Sequence, residues 1–110
     1  MASPKSRCAL RPRQPSLTEI TREIDGSRGR YVMRRGGEEA ELTYSITTPT
    51  LIIADHTGVP DSFRGTGAGN ALALRLVTDA RAEGVRIVPL CPFVNRWRAK
   101  HAEWADVFQV

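Results

Sequence analysis

Between residues 39 and 47, Ala40, Leu42, Tyr44 and Ile46 alternate with Glu41, Thr43 and Ser45. This period of two predicts a strand with one buried and one wet face. Upstream, Leu17 and Ile20 mark a first strand over Leu17 to Glu23, closed by the turn-forming Asp25-Gly26-Ser27. Gly29 to Arg35, carrying Tyr31, Val32 and Met33, predicts a second strand, which Gly36-Gly37 turns back into the third. After Thr48-Pro49 the run Leu51-Ile52-Ile53-Ala54 is apolar at every position, as expected of a central strand covered on both sides, and it continues into Asp55-His56-Thr57. The period then changes. From Thr66 to Glu83, helical projection gathers Leu72, Ala73, Leu76, Val77 and Ala80 on one arc and Arg75, Thr78, Asp79 and Arg81 on the other, with Leu74 alone out of place. Gly84 supplies a helix stop, and Val85 to Leu90 reads as a further strand. Strand, helix and strand together predict a right-handed parallel crossover. Cys91-Pro92 ends it, and Phe93, Val94, Trp97 and His101 recur at helical spacing before a closing segment around Ala102 to Phe108. The class is α/β (α+β): antiparallel strands leading into a parallel strand–helix–strand unit, without internal repeat.

A chain of 110 residues fits one domain. Its pI of 9.7 invites a nucleic-acid reading. The distribution of charge argues against that reading. Lys5, Arg7, Arg11 and Arg13 fall among the first seventeen residues, which hold no Asp or Glu, so the rest of the chain carries twelve basic and twelve acidic residues. Residues 1–16 are therefore expected to form a disordered basic tail, rich in Pro, Ser and Arg, and residues 17–110 a neutral folded domain. No run approaches the roughly 20 apolar residues that span a bilayer, and the tail lacks the apolar core of a secretion signal. A soluble, cytoplasmic protein with no membrane or nucleic-acid partner is the expectation. Cys8 and Cys91 are the only cysteines, so neither a disulfide framework nor a metal site is indicated.

The strongest chemical signal lies between the apolar strand and the long helix, where Arg64-Gly65-Thr66-Gly67-Ala68-Gly69 places three glycines at alternate positions. Glycine admits positive φ and close approach to the main chain. The first amides of a helix lack intrahelical acceptors and lie at the positive end of its dipole, so a phosphate fits there. The mononucleotide loop needs Gly-x-x-x-x-Gly-Lys-Ser/Thr and the dinucleotide fingerprint Gly-x-Gly-x-x-Gly, and the chain matches neither.

Arg64, Gly67 and Gly69 form Arg-x-x-Gly-x-Gly, which resembles the acetyl-coenzyme A pyrophosphate loop of the GCN5-related N-acetyltransferases. Two flanking segments extend the likeness. Asp55-His56-Thr57-Gly58-Val59-Pro60 and Val88-Pro89-Leu90-Cys91-Pro92-Phe93-Val94 look like segments of the small, single-domain branch of that family, and the three motifs stand in its order. The resemblance covers residues 17 to 108. Gly58 departs from it, standing where members of this branch often carry a larger, sometimes acidic, side chain. The resemblance implies a sheet whose strands ending near Val59 and Leu90 splay apart to admit pantetheine. The pyrophosphate would be held by Arg64, Gly65, Thr66, Gly67, Ala68, Gly69 and Asn70, with Val59, Cys91 and Phe93 completing the acetyl-CoA site.

Acetyl transfer requires a neutral amine, a positioned thioester and a donor for the oxyanion. By resemblance that donor is the Val59 N–H, Pro60 having none to give. His56 is the first candidate base, because its ordinary pKa lies near neutrality, and Asp55 the second; strict alternation would put the two on opposite faces. A purely structural histidine remains the other reading. Cys91, between a strand end and a helix start, offers a covalent route, set against direct attack by an amine and against a buried thiol that only lines the cleft. Arg96, Arg98 and Lys100 form the polar face of the last helix, solvated or in contact with a coenzyme phosphate, and Trp97 and Trp104 are expected to pack on the sheet. Only Asp25-Gly26-Ser27-Arg28 separates the first two strands, where larger relatives insert helices. The acceptor cleft should therefore be open to a protein or peptide amine, or be completed by another subunit of a homo-oligomer. The rivals are a non-catalytic CoA or acyl-CoA binding module and a nucleic-acid or partner-binding domain driven by the basic tail.

Overall fold

The computed structural model describes residues 20–35, 37–63 and 65–110. The expectations for the tail, for Leu17, for Gly36 and for Arg64 lie outside these residues. Five strands, β1 (Ile20–Asp25), β2 (Arg28–Arg35), β3 (Glu38–Thr48), β4 (Leu51–Gly58) and β5 (Arg86–Pro89), form one sheet in sequence order. The first four are antiparallel and β5 lies parallel to β4, joined through helix α1 (Ala68–Glu83). Helix α2 (Pro92–Lys100) and a 3₁₀ turn (Ala102–Val107) follow, and Phe108 bridges back to Ile87. This is the predicted mixed α/β arrangement.

The alternation in β3 explains the layering. Ala40, Leu42 and Tyr44 are buried and join Tyr31, Met33, Ile52, Ala54 and Ile87 from the neighbouring strands. Leu72, Ala73, Leu76, Val77 and Ala80 of α1 and Val94 and Trp97 of α2 complete the same cluster, so both helices cover one face. Each large side chain buried in this way stabilises the fold by about 1.5–3 kcal/mol. Tyr31 keeps its phenol satisfied by donating to Asp79 Oδ2 at 2.9 Å, and burial pushes its pKa upward.

The other face is mostly polar. Arg30 reaches Glu23 and Glu41 at 2.8 Å each, and Arg34 reaches Glu39 at 2.8 Å and Glu23 at 3.1 Å, forming a lattice across β1, β2 and β3. Double coverage of β4 is corrected here. Leu51 and Ile53 are only half-buried, because Ile53 pairs with Ser45 and Val88 on a face that carries no helix among the described residues. Helix α1 also starts two residues later than its periodicity suggests, since Gly67 adopts a left-handed φ of 78°. At the other end, Gly84 is left-handed and the Val85 N–H returns to Ala80 O at 2.8 Å, which closes the helix as expected. No helix of the described residues is long and apolar enough to cross a membrane.

Candidate active site

β4 has two halves. Leu51 to Ala54 pair with β5, ending at Ala54 opposite Pro89, whereas His56, Thr57 and Gly58 pair only with Thr43, Leu42 and Glu41 of β3. The Cys91 N–H makes the last link, donating to Ala54 O at 2.8 Å. Beyond that point the strands part. Thr57, Val59, Phe63, Gly65, Gly67, Gly69, Asn70, Phe93 and Arg96 line a cleft of about 460 Å³ there, within the range usual for small-ligand sites.

The loop at its mouth is built by short-range bonds. A 3₁₀ turn, Asp61–Phe63, buries the Phe63 ring beneath the loop. Thr66 N–H and Oγ1 both donate to Phe63 O, at 3.1 and 2.6 Å, and Oγ1 accepts from the Ala68 N–H at 3.2 Å. The Ala68 amide is thereby committed inside the chain. Gly65 and Gly67 have φ of 81° and 78°, left-handed values that would strain any side chain. Among the described residues none accepts from the amides of Gly65, Gly67, Gly69 or Asn70. Alternating left-handed residues before a helix turn such amides toward a common anion. Gly69 has a separate reason: a Cβ there would lie 3.0 Å from Phe93 Cζ, so any side chain would have to displace the ring where α2 closes on the start of α1. Trp97 Nε1 donates to Asn70 Oδ1 at 2.7 Å and ties the same two helices together. The Asn70 carboxamide oxygen is thus engaged within the fold, while its main-chain N–H meets no acceptor among the described residues.

The candidate side chains divide between the two faces. The ladder shifts register between Thr43 and Tyr44, whose partners are His56 and Ala54, so Asp55 is the extra residue of a bulge. Strict alternation is therefore corrected: Asp55 and His56 share the open face. Asp55 accepts from Ser45 Oγ at 2.6 Å, while His56 is exposed and its Nε2 overhangs Gly58, 3.3 Å from where a Cβ would stand. Cys91 lies on the other side. It is an unbridged thiol, 2% exposed, with Sγ 3.3 Å from Thr57 Oγ1. The structure brings Cys91 to Thr57 and does not bring it to His56. Val59 is 41% exposed at the end of β4, and its N–H donates to no described residue. Thr57, Phe63 and the Trp97–Asn70 link were missed by sequence reasoning. Only the position of Thr57 beside His56 could have drawn attention to it, and the others depend on contacts distant in sequence.

A search of curated proteins found no match. The profile described as GCN5-related N-acetyl-transferase matches residues 30–107. Among solved structures, the chain is similar to a GCN5-like candidate N-acetyltransferase from Staphylococcus aureus, determined in solution, with 26% identity, a TM-score of 0.62 and coverage of 84% of this chain and 90% of that one. A sheet parted after Ala54, a glycine-rich turn with uncommitted amides and a family match over most of the domain agree: this chain belongs to the GCN5-related N-acetyltransferase family.

Proposed function

We propose that this protein is an acetyl-CoA-dependent N-acetyltransferase acting on an amine by direct attack on the thioester. The observation that carries the reading is the unpaired edge of β4 leading straight into amides without acceptors at Gly65, Gly67, Gly69 and Asn70. Pantetheine carries two amides and can bond such an edge as a short added strand, while the loop amides suit a diphosphate. The Val59 N–H stands at the end of that edge, where an oxyanion donor is needed.

In the transfer, the neutral amine nitrogen bonds to the acetyl carbonyl carbon and the carbon–sulfur bond breaks, its electron pair leaving with the coenzyme sulfur. The proton lost from nitrogen passes to His56, directly or through one water, and the thiolate is reprotonated from solvent. His56 suits this role because it lies on the open, solvated face, from which an acceptor can approach. Asp55, held by Ser45, is the second candidate base. The burial of Cys91 and its bond to Thr57 favour direct attack over an acetyl-cysteine. The same face, which carries no helix among the described residues, supports a protein or peptide lysine as acceptor.

The test measures thiol release from acetyl-CoA with a panel of small amines and lysine peptides, for the native chain and for His56→Ala and Cys91→Ala. Turnover lost about 100-fold in His56→Ala and kept in Cys91→Ala is expected. Loss in Cys91→Ala alone, with an acetylated cysteine found by mass spectrometry, would replace direct attack by the covalent route. Coenzyme binding without turnover on any acceptor would favour a non-catalytic binding module.

A further inference from the structure

Arg96 stands apart from the other arginines of the helical layer. Arg75 pairs with Asp79 at 2.9 Å, Arg81 pairs with Asp106 and lies 4.1 Å from the centre of the Trp104 ring, and Arg98 donates to Asn95 Oδ1 at 2.8 Å. Arg96 is exposed, and among the described residues it forms no ion pair or hydrogen bond. It nevertheless lines the same cleft as the glycine loop. Its position follows from helix geometry. Phe93, three residues earlier on α2, packs its ring against Gly69, and residues three apart share a helix face, so the Arg96 stem lies one turn farther along the same contact.

An unpaired guanidinium lining the same cleft as the uncommitted amides of Gly65, Gly67, Gly69 and Asn70 creates a site with two anion-binding elements. The amides of Gly65, Gly67, Gly69 and Asn70 belong to a short stretch of main chain and can seat only a group that enters the turn. The Arg96 side chain is long and lies at the rim, suited to a second, outlying phosphate. Coenzyme A carries such a pair, a diphosphate and a separate ribose 3′-phosphate. We infer that Arg96 binds the 3′-phosphate and makes this cleft selective for coenzyme A over its 3′-dephospho form, an inference that rests on the coenzyme reading above. A planar guanidinium presents paired donors to a phosphate.

The test is titration calorimetry with CoA and with 3′-dephospho-CoA on the native chain, Arg96→Gln and Arg98→Gln, with circular dichroism verifying that each variant is folded. The native chain should bind CoA about tenfold more tightly than the dephospho form, as a charge-assisted contact of this kind predicts. Arg96→Gln should bind both alike, at the native dephospho-CoA level, and Arg98→Gln should keep the native ratio. An unchanged ratio in Arg96→Gln, or an equal loss for both ligands, would overturn the assignment while leaving the coenzyme reading intact. No binding of either ligand by the native chain would remove the coenzyme reading and this inference together.

Discussion

The two halves of β4 carry the same backbone hydrogen-bonding groups and do different work with them. From Leu51 to Ala54 the strand is paired on both edges and contributes Ile52 and Ala54 to the core; from Asp55 to Gly58 it keeps only β3 as a neighbour. The first half is consumed by folding. The second is anchored by the first and by β3, yet leaves one edge unpaired. An open sheet edge is ordinarily a liability that invites pairing with another chain. Here the Ala54–Cys91 link, the Phe63 turn and the glycine loop keep it short and partly roofed.

This contrast can be broken from either side. The largest effect is expected in the paired half: Ile87→Ala, opposite Ile52 and fully buried, should lower stability by about 2–5 kcal/mol in denaturant unfolding. CoA affinity measured on the folded protein should stay within about twofold, since additivity holds for distant sites. A tenfold weaker affinity would show that the halves are not separable. Next comes the ligand side, where Gly69→Val places carbon against Phe93 and spreads α2 from the start of α1. Coenzyme affinity should fall about tenfold, with stability reduced by about 1–3 kcal/mol for the overpacking. Tight binding retained in this variant would mean that the loop adjusts freely.

The smallest effect belongs to the lattice on the open face. Hydrogen bonds from Arg34 and then Arg30 hold the Glu23 carboxyl below its ordinary pKa. A carboxylate whose folded pKa is depressed stabilises the fold above its unfolded value, near 4.3, and this contribution fades as pH falls through the folded value. Glu23→Gln should therefore flatten the acid limb of the Tm-against-pH curve and shift Tm only slightly at neutral pH, where surface pairs contribute little. A neutral-pH Tm drop above 8 °C, set against the roughly 4–8 °C that 1 kcal/mol produces in a domain of this size, would instead make the lattice a main support of the sheet.

The layering was legible because it is local. The alternation from Ala40 to Ile46 and the arc from Leu72 to Ala80 follow from strand and helix periods alone, and the buried residues obey both. The glycine loop was legible because few residues tolerate left-handed backbone. The facing of Asp55 and His56 was not. It depends on how β4 registers against β3, a pairing between residues ten or more apart, which no local pattern encodes. Likewise, four apolar residues at Leu51–Ala54 announce a sheet interior but not whether a helix will cover its second face. The role of Thr57 as the neighbour of Cys91 and the Trp97–Asn70 link arise only once α2 has docked.

The surplus residue at position 55 also shapes the path of the strand beyond it. Without it, Thr57 would still turn inward and His56 outward, because excising one member of an outward pair leaves every later side chain on its own side. The extra residue adds curvature instead, a local kink and a steeper coil of the strand. The bulge at Asp55 thus falls just where β5 stops, so that the site of extra twist in one strand and the ending of the other coincide at the mouth of the cleft.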